Sequence, residues 1–195
     1  MPELFTVGHS NHSIERFFDL LARHGISALA DVRSAPFSRH TPQFNKDQLQ
    51  SVCKSREITY VFLGRELGAR REERGCYKDN QVNFDLVAAA PLFQMGLQVL
   101  VEGTQSFRVA VMCTEKDPIT CHRMILVCRN LRDRDVNIRH ILDDGSLESL
   151  GKSEARLRSA MGVPETDLFL DEQGLTARAY DLQAGRIAFV DKEDP

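Results

Sequence analysis

The sequence predicts a three-layer α/β fold: a mainly parallel sheet of about five strands with helices on both faces. Three observations point there. Short apolar runs rich in β-branched and aromatic residues alternate with amphipathic helical patterns, an order that demands crossover connections and a parallel sheet. The 195 residues, 42% hydrophobic and 27% charged, suit one well-buried domain and argue against disorder or low complexity. Every cluster of unusual polar residues follows a strand, at the edge where open α/β sheets bind ligands.

Residues 4–8 (LFTVG) read as the first strand. Ser13 then caps a helix from Ile14, whose apolar face of Phe17, Phe18, Leu20 and Leu21 ends near Gly25. Residues 26–32 (ISALADV) form a second strand, followed by the proline-punctuated loop RSAPFSRHTPQFN and a helix over about 46–56. Residues 58–63 are a third strand. The next stretch, GRELGARREERGCYKDNQ, is polar and glycine-punctuated, and no core can be built from it. A helix over about 84–102 is kinked or divided by Pro91. Residues 107–113 form a fourth strand with the charged loop TEKDPIT behind it. Cys121 opens a helix of about a dozen residues with Met124, Ile125, Val127, Cys128 and Leu131 as apolar positions, and residues 136–142 complete a fifth strand.

Residues 1–144 are thus expected to be the α/β core domain. Residues 145–195 are expected to be an acidic extension packed on that core, with a helix over about 153–161 and no periodicity that would make it an independent domain. No apolar run approaches the roughly twenty residues of a membrane span, and the N-terminus lacks a basic flank and an apolar signal region, so a cytoplasmic protein without a membrane partner is expected. Five cysteines without CxxC spacing fit free thiols in a reducing compartment.

A net charge of -3 argues at first against a polyanionic partner. The total hides an asymmetry: residues 1–140 carry 19 basic and 16 acidic groups, residues 141–195 carry 6 and 12. Nineteen of the 25 basic residues are arginine, the side chain suited to bidentate recognition of phosphate or carboxylate. A nucleotide, nucleic acid or other anionic ligand therefore stays open as a partner, and so does a homodimer; the sequence requires no cofactor.

The segments TVGHSNHSIERFFDLLARHGISALADVRSAPFSRHTPQFN and VAVMCTEKDPITCHR, with weaker similarity in DLF and AYDLQAGRIAF, carry a resemblance to the bacterial domain-of-unknown-function 488 proteins. The resemblance implies the α/β fold and a set of signature residues without specifying a reaction. The elements Gly8-His9-Ser10, Asp31-Val32-Arg33 and Cys113 to Arg123 match the family pattern.

Each signature residue has a chemical and a structural reading. His9 is a candidate general acid or base, or a histidine bracing its turn. Gly8 and Ser10 place backbone and hydroxyl donors where a ligand can sit. Asp31 is a catalytic candidate or the partner of Arg33 in an ion pair, and Arg33 and Arg39 are anion contacts. Gln43, Phe44 and Asn45 either serve a base or anchor their loop. Cys121, His122 and Arg123 open a helix, where free N–H groups favour an anion and lower a thiol pKa. A Cys-x5-Arg phosphatase loop is excluded, because Ile119 stands six residues after Cys113. Cys113 or Cys121 is then a thiolate nucleophile or a small core residue, and Glu115 is a better acid–base candidate than Asp117, which reads as a turn residue before Pro118. Cys113, Cys121 and His122 are an alternative metal set, although Cys-x7-Cys-His is no standard zinc spacing. Arg65, Arg70, Arg71 and Arg74 belong to a self-paired loop or to a lid hinged at glycines 64, 68 and 75. The functions in view are a hydrolase or transferase acting on a nucleotide, nucleic acid or phosphorylated ligand, a non-catalytic anion or nucleic-acid binder, and a Cys/His metal or thiol redox protein.

Overall fold

The fold is that of a computed structural model, which describes residues 1–191. β1 (Glu3–Gly8) leads through α1 (Ile14–Arg23) to β2 (Ala28–Asp31), and α2 (Lys46–Ser55) leads on to β3 (Thr59–Phe62). A single turn, α3 (Gly64–Leu67), and a small hairpin of β4 (Tyr77–Lys78) and β5 (Gln81–Val82) precede α4 (Phe84–Ala89) and α5 (Pro91–Gly103). After β6 (Val109–Cys113) comes a π-helix, Arg123–Cys128, that runs on as α6 (Arg129–Leu131) to β7 (Asn137–Ile141). β8 (Leu147–Ser149), α7 (Leu150–Ala160) and α8 (Glu172–Ile187) follow.

The main sheet has the order β3-β2-β6-β1-β7-β8. Its first five strands are parallel, as the alternation of elements predicts, and β8 pairs antiparallel with β7 at the edge. The two-residue period divides the strands between two cores. Phe5, Val7, Leu29, Ala110 and Met112 pack towards α1 and α2, whereas Leu4, Ala28, Ala30, Val109 and Val111 pack towards α5, the π-helix, α7 and α8. Helices therefore cover both faces. From neighbouring β1 and β6 the chain leaves in opposite directions, to β2 on one side and β7 on the other, so their C-terminal ends form a topological switch point.

Local signals act as expected at two boundaries. Ser13 Oγ accepts the Arg16 N–H at 3.2 Å and starts α1. Pro91 divides the expected long helix, because the residue before proline is driven out of the helical region; Ala90 is extended and Pro91 opens α5.

Elsewhere tertiary contacts override the local pattern. The polar stretch after β3 does contribute to the core: Leu67 and Cys76 are buried. Arg71 is buried too, donating to the carbonyls of Arg65 and Glu66 and pairing with Glu73 at 2.6 Å. Isolated apolar residues among charges leave no period to read. Gly64 and Gly68 pack against the Arg33 carbonyl and Ser34, where a β-carbon would collide, so close packing requires glycine at both positions. The helix expected to open at Cys121 starts as a π-helix, with the Arg129 N–H reaching the Met124 carbonyl, and its six residues are buried on all sides. Residues 145–191 supply the edge strand, and Leu157, Leu175, Ala179 and Tyr180 join the core. Beyond α8, the Phe189 carbonyl accepts the Val82 N–H at 2.9 Å, tying the tail to the small hairpin. Among the described residues no helix is long and apolar enough to cross a membrane.

Candidate functional site

The site forms where β1 and β6 end side by side, with Gly8 in register with Cys113. Their loops stay paired beyond the strands: His9 N–H donates to the Cys113 carbonyl at 2.9 Å and Ser10 N–H to that of Thr114 at 2.8 Å. The loop after β6 is held from below by Arg123, which is fully buried and donates to the carbonyls of Glu115 and Lys116. Asp117 holds its far end, accepting the Ile119 N–H at 3.2 Å and pairing with Arg156 at 2.9 Å. Asp117 is therefore the turn residue its Asp-Pro context suggested.

This bracing brings four reactive side chains together. Glu115 Oε2 lies 3.1 Å from Cys113 Sγ and 2.9 Å from Cys121 Sγ. His122 Nδ1 lies 3.5 Å from Cys113 Sγ and 4.0 Å from Cys121 Sγ, and all four ligating atoms fall within 4.8 Å of one another, a grouping able to hold a metal ion. His122 Nε2 faces the Val32 carbonyl at 3.0 Å, and since a carbonyl only accepts, Nε2 carries a proton.

The two thiols titrate in opposite directions. Burial, the bond to Cys121 and the nearby negative charges hold Cys113 protonated well above its ordinary range. Burial opposes ionisation of Cys121 as well, but its bonds to Cys113 and His122 and the charge of Arg123 outweigh it and carry that thiol down. The Arg123 N–H donates to the same sulfur at 3.4 Å. Burial and the charge of Cys121 raise Glu115. By contrast, desolvation above all pushes Cys53 and Cys128 up to about 12, which leaves them inert core thiols.

A second assembly stands at the end of β2. Asp31, wholly buried, receives Nε and Nη2 of Arg33 at 2.9 and 2.6 Å and the Tyr60 hydroxyl at 2.8 Å. Arg33 Nη2 also donates to the Phe44 carbonyl at 2.8 Å, and Nη1 approaches His9 Nε2 at 3.3 Å. His9 Nδ1 donates to the Ser10 carbonyl at 2.9 Å, and its ring stacks on Phe44 with centroids 4.3 Å apart. Burial first, and the Arg33 charge second, lower the His9 pKa to about 4, so the ring is neutral and its lone pair serves Arg33.

Between the two assemblies lies a cavity of about 270 Å³, lined among others by Arg33, Arg70, Cys113, Glu115, His122 and Phe189. Of the residues singled out in the sequence, Cys113, Glu115, Cys121 and His122 meet in the cluster, and Arg33 shares the cavity with it. His9 and Asp31 stand behind Arg33 and position it. Gly8 and Ser10 lie outside the cavity lining: a β-carbon on Gly8 would strike the Glu115 carbonyl oxygen, and the Ser10 hydroxyl turns to Asn11 at 3.3 Å. Arg123 acts through the loop it holds, and Arg39 is exposed away from the lining. Phe44 is an anchor, and Gln43 and Asn45 brace their own loop through the His12 carbonyl and the Ser38 N–H. The sequence reading missed Phe189 and the Val32 carbonyl, the one in a tail without a period and the other a main-chain group with no compositional signal.

A family model described as Domain of unknown function DUF488 matches residues 13–129. The matched span holds Asp31, Arg33 and the loop from Cys113 to Arg123; Gly8, His9 and Ser10 precede it. No curated protein and no solved structure matches the chain.

Proposed function

This chain belongs to the DUF488 family, and from the geometry of its cavity we propose that it is a hydrolase or transferase whose substrate is a nucleotide or another phosphorylated ligand. One observation carries the reading. Arg33 is locked by a bidentate pair to Asp31 and shares a cavity of about 270 Å³ with Cys113, Glu115 and His122. A guanidinium whose orientation is already fixed binds an anionic oxygen without losing side-chain freedom at the moment of binding. Arg70 stands at the same cavity and adds a second positive charge. The anion is thereby held beside the groups able to do chemistry, the proximity that an acyl, phosphoryl or glycosyl transfer site needs.

The test is ligand-induced thermal stabilisation with inorganic phosphate and a panel of mononucleotides, followed by product analysis on whichever stabilises. Arg33→Lys keeps the charge but loses the paired bonds to Asp31 that fix its orientation, and it is expected to weaken binding by about tenfold or more. Glu115→Gln should retain binding and lose turnover. Binding without turnover of any ligand in the panel would make this an anion-binding module. No stabilisation by any anion, or equal stabilisation of Arg33→Lys, removes the proposal.

A further inference from the structure

We infer that Cys113, Cys121 and His122 are the ligands of a zinc ion, with Glu115 in its fourth, exchangeable position. The inference deepens the reading above, which it takes as its premise for what the ion would do, but its own support is separate. Cys113 ends a strand, Glu115 hangs from the loop behind it, and Cys121 and His122 open the next helical segment, so three separate turns of backbone aim their donors at one point. Two thiols and a carboxyl, with donor–donor distances of 2.9 and 3.1 Å, are crowded there together with a ring nitrogen. In the ligating state the first three are all anions. Without a cation both sulfurs donate to the Glu115 carboxylate; around a divalent ion the charges of all three ligands are offset.

The dimensions agree. With zinc–sulfur bonds of about 2.3 Å and zinc–nitrogen or zinc–oxygen bonds of about 2.0–2.2 Å, a tetrahedron has edges of about 3.3–3.8 Å. Four edges of the cluster, at 2.9, 3.1, 3.5 and 4.0 Å, straddle that range. The imidazole is already oriented to ligate, since Nε2–H is tied to the Val32 carbonyl at 3.0 Å, which leaves Nδ1 towards the sulfurs. A backbone carbonyl orienting the far nitrogen is the usual support of a metal-bound histidine. Thiolates and imidazole favour zinc over magnesium or calcium, which prefer oxygen.

Glu115 differs from the other three. Its residue is exposed at the cavity wall while both cysteines and His122 are buried. Two cysteines and a histidine leave one tetrahedral position, and a carboxylate at the rim can cede it to a water or to an oxygen of a ligand held by Arg33. Zinc takes both sulfurs in their thiolate form, so affinity rises with pH.

The experiment is elemental analysis of the full chain purified with neither added metal nor chelator, with thiol counting on the folded protein before and after chelation. About one zinc per chain is expected, and chelation should make one more thiol, that of Cys113 at the cavity wall, reactive to a soluble reagent. Cobalt reconstitution should give the near-ultraviolet absorption of thiolate bound to cobalt. Cys113→Ser and Cys121→Ser should each lower zinc retention on dialysis about tenfold or more, and Glu115→Gln less. Zinc below about a tenth of an equivalent, both as purified and after reconstitution, overturns the inference, as does a cobalt form without thiolate absorption. The wild-type measurements decide the matter if a serine variant fails to fold. Zinc on a protein that no phosphate or nucleotide stabilises removes the proposed function and leaves the metal site standing; anion binding to a protein without metal does the reverse.

Discussion

The carbonyl oxygen of Glu115 lies against Gly8, in the space a β-carbon would occupy. Glycine at the end of β1 is what lets the loop after β6 pass close enough for Glu115 to reach both cysteines. Gly8→Ala is therefore expected to push that loop outward and to cost about 1–3 kcal/mol, as overpacking of a tight contact does. Urea denaturation measures the loss, and zinc retention should fall with it. An alanine variant as stable as the parent would mean that the loop has room to spare.

Asp31 is the hinge of the second assembly, since it accepts from both Arg33 and Tyr60 while wholly buried. Asp31→Asn leaves the Arg33 guanidinium buried without its counter-charge, an unpairing that typically costs about 3–5 kcal/mol. Tyr60→Phe removes one bond to the carboxylate and is expected to cost about 1.5–3 kcal/mol. Because both act through one carboxylate, the double variant should lose less than the two single losses combined. Full additivity in denaturation experiments would show that the three side chains do not act as a unit.

Two buried histidines set the acid limit. Burial lowers the His9 pKa to about 4 and that of His140 to about 3, with the charges of Arg33 and Arg123 respectively adding to it. Both are neutral when folded, while an unfolded histidine takes up a proton below about pH 6.5. Unfolding therefore binds protons, and stability falls as pH drops below about 6.5, by up to about 1.4 kcal/mol per pH unit for each histidine until the folded pKa is reached. Above about pH 7.5 neither contributes a slope. His140→Asn should make the slope shallower by about one proton between about pH 6 and 4. An unchanged slope would show that His140 is protonated in the folded protein.

Arg70 lies over the Phe189 ring, 4.7 Å from its centroid, and both line the cavity. A contact of this kind at a partly exposed site is worth about 0.5–1 kcal/mol. Phe189→Leu keeps an apolar side chain there and removes the aromatic face. The expected result is a stability change under about 1 kcal/mol together with severalfold weaker stabilisation by phosphate, read by thermal shift. Undiminished phosphate binding would take Arg70 out of the anion site.

Much of the fold can be read along the chain because its signals are local. The cap at Ser13, the break at Pro91 and the apolar faces of α1 and the parallel strands each depend on residues within a turn or two. Leu67 and Cys76 escape that reading because their neighbours are charged, and β8 because three residues carry no period. The π-helix over Arg123–Cys128 is buried on all sides, so its apolar run is equally compatible with an α-helix. Within the site, the sequence identified the residue types and the edge of the sheet where they gather. It placed His9 and Asp31 among the catalytic candidates beside Cys113, Glu115 and Cys121, and Arg123 among the ligand contacts.

Order among those candidates came from contacts between distant segments. Sequence alone determined a parallel α/β sheet whose polar clusters lie behind the strands, because period and strand direction follow from neighbours along the chain. Tertiary structure decided that His9 and Asp31 serve Arg33, that Arg123 supports a loop, and that Glu115 joins Cys113, Cys121 and His122. The physical reason is that a donor, a thiol or a carboxyl takes its role from the atoms within about 3–4 Å of it. In this protein those atoms come from the ends of β1, β2 and β6 and from the helical segment that Cys121 and His122 open, which only the folded chain brings together.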